Sequence, residues 1–172
     1  MIEHIVRRVR RNHALEHATV TLLLERGMAP PLGGYSTPGG FFIFGRVRTG
    51  LLQEVVAEAL AGLNAGNEDL AISPHCGTNL AAGTLIGVLL ANAILGKRRK
   101  GRLKRLPLAI LGLAGGVALG RPVGNALQRR YTTLAQMGGL EVDRVTSLWP
   151  GDAPGLHRVR TTQPQVGPLM SS

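Results

Sequence analysis

Cysteine is nearly missing from this sequence. Cys76 is the one copy, so no disulfide can form within the chain. Aromatic residues make up only 3% of it, and none is interleaved with the basic clusters. There is no zinc-finger spacing and no RNP-like pattern either, so nucleic acid is not an expected partner. Acidic residues are half as frequent as basic ones, 10 against 20, which leaves a net charge of +10. The N-terminal "MIEHIVRRVRRNH" has no long apolar run behind its charges, so no secretory leader is expected. "GGYSTPGG" lacks the Lys-Ser/Thr ending of a phosphate-binding loop, and no internal repeat is present.

What remains is a basic, aliphatic chain of 172 residues with 24 glycines and 44% hydrophobic residues, the texture of closely packed or membrane helices. The positive charge is concentrated in two places. One is "RRVRR" (7–11); the other is "KRRKGRLKR" (97–105), where seven of nine residues are basic. The second run separates "LAAGTLIGVLLANAILG" (80–96) from "LPLAILGLAGGVALG" (106–120), both free of charge. This pattern predicts a membrane-associated helical hairpin over 80–120 with a basic turn, its arms brought together at Gly112, Gly115, Gly116 and Gly120. The expected partners are membrane lipids, with anionic head groups at the basic turn. The charge distribution assigns no orientation, because Arg121, Arg129 and Arg130 oppose the turn.

Elsewhere the spacing predicts an α+β chain. Ile2, Ile5, Val6, Val9, Val20 and Leu24 recur at helical spacing up to a stop at Gly27. The stretch 32–40 reads as turn, and "FFIFGRV" (41–47) as a strand, in the core rather than at an edge that pairs with peptide. Thr49 is the expected N-cap of a helix over Leu51–Leu63 that presents Leu52, Val55, Val56, Ala59 and Leu63. Residues 70–79 read as an extended piece running into a loop. Residues 140–148 and 156–162 read as strands around a turn at 149–155, within a C-terminal β unit of 121–162. The expected organisation is therefore an N-terminal α+β region (1–79), the hairpin (80–120), that β unit, and a disordered tail (163–172).

The chemistry concentrates in "RNHALEHATV" (11–20). On a helix His13 and His17 lie one turn apart with Glu16 beside them, and the trio interrupts the stripe expected to be buried. A buried carboxylate next to two imidazoles is costly without partners, and a divalent cation supplies one for all three. Two imidazoles four residues apart can bind zinc, leaving the carboxylate to take a proton from bound water. Core histidines bonded to backbone or to Glu16 explain the same residues without a metal. A third ligand is available in "SPHCGTN" (73–79), where Cys76 is favoured and His75 is the alternative. Glu54 and Glu58 fall off the apolar stripe of their helix and read as solvated. His4 and His157 have no partner at ligand spacing.

The order His13-x-x-Glu16-His17 matches the inverted-zincin signature H-x-x-E-H. "NHALEHATV", then "GGFFIFG", then "CGTN" before an apolar hairpin resembles an uncharacterised bacterial membrane-protein family of unknown function. It is also similar to predicted metal-dependent membrane enzymes that pair an H-x-x-E-H motif with a His-Pro-x-Cys-Gly-Thr loop. The resemblance covers roughly residues 10–120, and its motif positions fall on His13, Glu16, His17 and Cys76. One position departs from it. Ser73 precedes the proline where that pattern has histidine, and a histidine stands at His75 instead.

These observations converge on a bacterial plasma-membrane protein with Zn2+ held by His13, His17 and Cys76, or His75. Glu16 is the expected general base in a hydrolysis, with a peptide or protein as substrate. The alternatives are a non-enzymatic membrane protein whose metal site or His/Glu network is structural, and a basic membrane-surface adaptor without metal.

Overall fold

The computed structural model describes residues 2–74, 76–96, 101–149 and 155–164. In chain order they form α1 (Ile2–Glu25), β1 (Gly33–Thr37), β2 (Gly40–Gly45), α2 (Thr49–Asn64), α3 (Gly77–Leu95), α4 (Arg102–Leu127), β3 (Glu141–Ser147) and β4 (Gly155–Thr162). A 3-10 turn at Glu68–Ala71 precedes α3, and a π turn at Gln128–Thr132 follows α4. The fold class is α+β, as the sequence patterning implies. The elements divide into two compact units, Met1–Ile72 with Tyr131–Ser172, and Ser73–Arg130.

The first unit is built on an antiparallel sheet in the order β1-β2-β4-β3. β1 occupies part of the stretch whose Gly, Ser and Thr content reads as turn. Its strand character comes from pairing with β2 across a two-residue connection, Pro38–Gly39, in the register Thr37↔Gly40 to Gly33↔Phe44. β2 is central, paired with β1 on one side and β4 on the other, and it buries Phe41 and Ile43 in the core. Gly40 has φ 130°, and a Cβ there would lie 2.0 Å from the Val159 carbonyl oxygen, so this crossing requires glycine. In β4 the alternate residues His157, Val159 and Thr161 face inward. The C-terminal strands thus complete the N-terminal sheet through the pairing of β4 with β2.

α2 buries Leu52, Val55, Val56, Ala59 and Leu63, the stripe its periodicity predicts. Each of the leucine and valine side chains contributes about 1.5–3 kcal/mol when fully buried. Thr49 is already helical, and Arg48 occupies the N-cap without a side-chain bond, so the expected Thr49 cap is not made. The Thr49 hydroxyl instead lies 3.2 Å from His157 Nε2. The extended piece expected after α2 is tightened at Glu68–Ala71 into the 3-10 turn.

α1 ends where Gly27 takes φ 81° and its N–H, with that of Met28, returns to the Leu24 and Leu23 carbonyls. The predicted apolar stripe does not run its whole length. Ile2, Ile5 and Val6 are exposed, whereas every residue from Arg11 to Val20 is buried except half-buried His13. Periodicity marks an apolar face but not what covers it. α1 packs on α2, β1 and β2, which enclose its second half.

The second unit is a pair of apolar helices packed along their length, α3 and α4. Both exceed the charge-free runs that announced them and are long and apolar enough to cross a membrane. At 1.5 Å per residue α3 is about 28 Å long and α4 about 39 Å, against a hydrocarbon core of about 30 Å. Residues 97–100 of the predicted basic turn lie outside the described residues, and Arg102, Lys104 and Arg105 start α4 itself. The contact between the helices is a glycine seam. A Cβ on Gly116 would lie 2.1 Å from Gly87 Cα, one on Gly120 2.8 Å from Gly83 Cα, and one on Gly112 2.7 Å from Ile94 Cδ1. Gly115 departs from expectation, since it has nothing within 4 Å and lies off the seam. Gly83, Gly87 and Gly124 join the seam at four-residue spacing, the small-residue arrangement that lets helix backbones touch.

Candidate metal centre

Residues 10–17 of α1 send polar side chains into the main chain around them. Arg10 Nη2 donates to the Thr133 carbonyl at 2.9 Å and Arg11 Nε to that of Gln136 at 2.9 Å. Asn12 Nδ2 donates to the Thr37 carbonyl at 2.7 Å, and its Oδ1 accepts from the Thr161 hydroxyl at 2.8 Å. A largely enclosed helix segment can keep such residues because each meets a partner of opposite hydrogen-bonding character.

The two histidines follow the same rule. His13 Nδ1 lies 2.9 Å from the Thr132 carbonyl oxygen, and His17 Nδ1 lies 2.9 Å from that of Ala71. A carbonyl oxygen only accepts, so each Nδ1 carries the proton and donates it. In the neutral form of each ring the lone pair is then on Nε2, the tautomer of a metal-ligating histidine braced through its other nitrogen. The ring centroids are 4.2 Å apart with planes inclined by 59°.

Glu16 is buried on the same turn and is turned toward β1. The Ser36 hydroxyl donates to Glu16 Oε2 at 2.5 Å. Gly34 leaves the room for the carboxylate, since a Cβ there would come within 2.7 Å of Glu16 Cγ, Cδ and Oε1. The trio therefore separates into a pair of adjacent imidazoles and a carboxylate fixed by the sheet.

Cys76 belongs to the second unit and is the N-cap of α3. The Thr78 N–H donates to its Sγ at 3.4 Å, and Sγ lies 3.3 Å from Thr78 Oγ1. His75 lies outside the described residues. Ser73, the position that departs from the resembled pattern, is buried in a network of its own. Its N–H donates to Gln128 Oε1 at 2.9 Å, while Gln128 Nε2 donates to the Ser73 carbonyl at 3.1 Å and to Asn79 Oδ1 at 2.8 Å. Asn79 Nδ2 donates to Asn125 Oδ1 and to the Ser73 and Pro74 carbonyls. Glu54 and Glu58 are exposed and pair with Arg26, consistent with a solvated face. His157 is buried in β4 with Nδ1 unpartnered, and burial holds its pKa below the ordinary histidine value.

Sequence reading missed Ser36, Gly34, the carbonyls of Ala71 and Thr132, and Gln128. A carbonyl leaves no mark in a sequence. Gln128 and Ser36 carry no periodic or motif pattern that would single them out.

The architecture is that of an α+β protein with two apolar helices and a histidine pair held inside its first helix. The chain belongs to a family described as a domain of unknown function, DUF6391, whose model matches residues 8–145. It is similar to an uncharacterised protein of Picosynechococcus sp. (strain ATCC 27264 / PCC 7002 / PR-6), 34% identical over 134 residues. That alignment covers 73% of this chain and 65% of the relative, so the chain spans just under two thirds of the relative's length. No solved structure matches it.

Proposed function

We propose that this protein is a metal-dependent hydrolase of the bacterial plasma membrane, with Zn2+ held by His13, His17 and Cys76. The observation that carries the reading is the pair of Nδ1–H···O=C bonds, from His13 to Thr132 and from His17 to Ala71. They leave Nε2 of both rings available as a ligand on one turn of α1, the arrangement in which metal-binding histidines are braced through their other nitrogen. Cys76 follows the Ala71 carbonyl by five residues, within the reach of an extended chain of about 3.3–3.6 Å per residue. Two imidazoles and a thiolate form an accepted catalytic zinc set with one position left open. When bound, the cation supplies Lewis acidity toward water and a carbonyl group. Glu16, held by Ser36 and seated on Gly34, is the general base that accepts the proton, and the substrate class is a peptide or protein. α3 and α4 form the membrane anchor, which is supported by their length and by the exposure of Leu85, Leu89, Leu108, Ile110 and Leu111. The basic start of α4 opposes its helix dipole, a cost that anionic head groups offset.

One observation favours a second reading. The two carbonyls that hold the histidines, Ala71 and Thr132, bracket the segment Ser73–Arg130 in sequence. A metal held there in a closed site of four protein ligands would be structural rather than catalytic. Elemental mass spectrometry of detergent-purified wild type, His17→Ala and Cys76→Ala, with peptide turnover by wild type and Glu16→Gln, separates the readings. Near-stoichiometric zinc lost in both variants, with turnover abolished in Glu16→Gln at unchanged zinc, supports the hydrolase. Zinc without turnover, with unfolding on its removal, supports the structural site. No metal after reconstitution with zinc overturns both.

A further inference from the structure

α1 carries a second cluster that the metal centre does not use. Arg7, Arg10 and Arg11 stand at i, i+3 and i+4 and so share one face of the helix. With Glu3, Leu134 and Gln136 they line a cavity of about 390 Å³. Among the described residues the lining holds three guanidinium groups and one carboxylate, that of Glu3, which pairs with Arg7 at 2.8 Å near the surface. Glu68 reaches this region through the Gln136 amide, which donates to its Oε1 at 3.0 Å.

Two of the three arginines are fixed in place. Their bonds to the Thr133 and Gln136 carbonyls set the positions of the Arg10 and Arg11 guanidinium groups, and Arg11 is only 8% exposed. Gly138, at φ 56°, gives the Arg11 guanidinium room, since a Cβ there would lie 2.2 Å from its Nη2. Burial, and then the Arg7 charge, draw the Arg11 pKa below its usual value. Like charges at this spacing repel, and burying one of them adds a desolvation cost. An anion in the cavity would relieve both. The planar forks of arginine match the oxygens of a phosphate group, and three of them converging suit its several oxygens and its charge.

We infer that the cavity lined by Arg7, Arg10 and Arg11 is a binding site for a phosphate group. Its ligand is either a lipid head group or a soluble phosphate, and both offer the same oxygens to the three guanidinium groups. The inference rests on this cavity alone and stands or falls independently of the metal reading.

Calorimetric titration of the full chain in detergent, with inorganic phosphate and separately with a short-chain phosphatidic acid, tests it. Arg7→Gln is the variant to use, because its guanidinium stands near the surface and its loss leaves the carbonyl bonds of Arg10 and Arg11 in place. Saturable binding is expected, weakened about tenfold in Arg7→Gln and tightened about two- to threefold in Glu3→Gln. It should be unchanged in Arg46→Gln, an exposed arginine elsewhere. Binding of phosphatidic acid without inorganic phosphate assigns the head group as ligand, and binding of both shows that the phosphate group suffices. Equal weakening in Arg7→Gln and Arg46→Gln, or no binding of either ligand, overturns the inference.

Discussion

Gly34 and the carboxylate of Glu16 occupy adjoining space, and a Cβ on Gly34 would lie 2.7 Å from three atoms of that side chain. The end of a glutamate can usually swing aside at little cost. Here it is buried and held by Ser36 Oγ at 2.5 Å, so the strain has no cheap outlet. Gly34→Ala should therefore destabilise the first unit by about 1–3 kcal/mol, in the range of an overpacked core. Ser36→Ala, which takes away a donor to a buried carboxylate, should cost about 1–3 kcal/mol by a different route. Chemical denaturation of both variants measures the two effects. If either matched wild type, the carboxylate would not be fixed as described.

The proposed metal site gives the next expectation. A cation bound to the folded state and not to the unfolded chain stabilises by mass action, so chelation should lower the thermal midpoint by several degrees. Zinc should restore it. His17→Ala should start from the chelated value and ignore both treatments. His17→Asn keeps an amide N–H at the position of Nδ1 that can still donate to the Ala71 carbonyl, so it should recover part of the stability but none of the zinc response. A chelator response in His17→Ala equal to that of wild type would place the metal elsewhere.

His157 sets a pH dependence of definite sign. Its folded pKa is depressed by burial, so below the unfolded value of about 6.5 the unfolded chain binds the proton more readily. The stability from keeping this ring neutral is fully present above that value. It is lost as pH falls toward the folded pKa, at up to about 1.4 kcal/mol per pH unit. Denaturation midpoints between pH 7.5 and pH 5 should fall for wild type, and the fall should be shallower in His157→Leu. Parallel curves would assign the acid sensitivity to other groups.

How much of this was legible beforehand differs from element to element. The α2 stripe could be read residue by residue, because Leu52, Val55, Val56, Ala59 and Leu63 repeat at a helical period and meet a core along the whole helix. The same reading overreached on α1, where Ile2, Ile5 and Val6 keep the period but lie in the open. β1 was hidden because Gly33, Gly34, Ser36 and Thr37 are turn formers in isolation. Their strand geometry is imposed by the ladder with β2, and Gly34 also clears space for Glu16. The adjacency of His13 and His17 followed from helix spacing alone. The carbonyls that choose their tautomer did not, since Ala71 and Thr132 lie 54 and 119 residues away along the chain. Gln128 was unreadable for the same reason, because its partners Ser73 and Asn79 are distant in sequence and give it no periodic signature.

The apolar helices offer a test in which two neighbouring glycines should behave oppositely. A Cβ on Gly116 would sit 2.1 Å from the Gly87 Cα and nitrogen, which are backbone atoms and cannot rotate away, so the substituted helices must move apart. A Cβ on Gly115 meets nothing within 4 Å. Gly116→Ala should accordingly cost about 1–3 kcal/mol, as overpacking does. Gly115→Ala should be neutral or stabilising by up to about 1 kcal/mol, since alanine exceeds glycine in helix propensity by that amount. A cysteine pair placed at Leu90 and Gly112, where a Cβ on Gly112 would lie 3.5 Å from Leu90 Cβ, would report the separation by its cross-linking rate. That rate should drop in the Gly116→Ala background and persist with Gly115→Ala. Equal rates in the two backgrounds would mean that α3 and α4 are not held together by backbone contact at Gly87 and Gly116, and the seam would have to be redrawn.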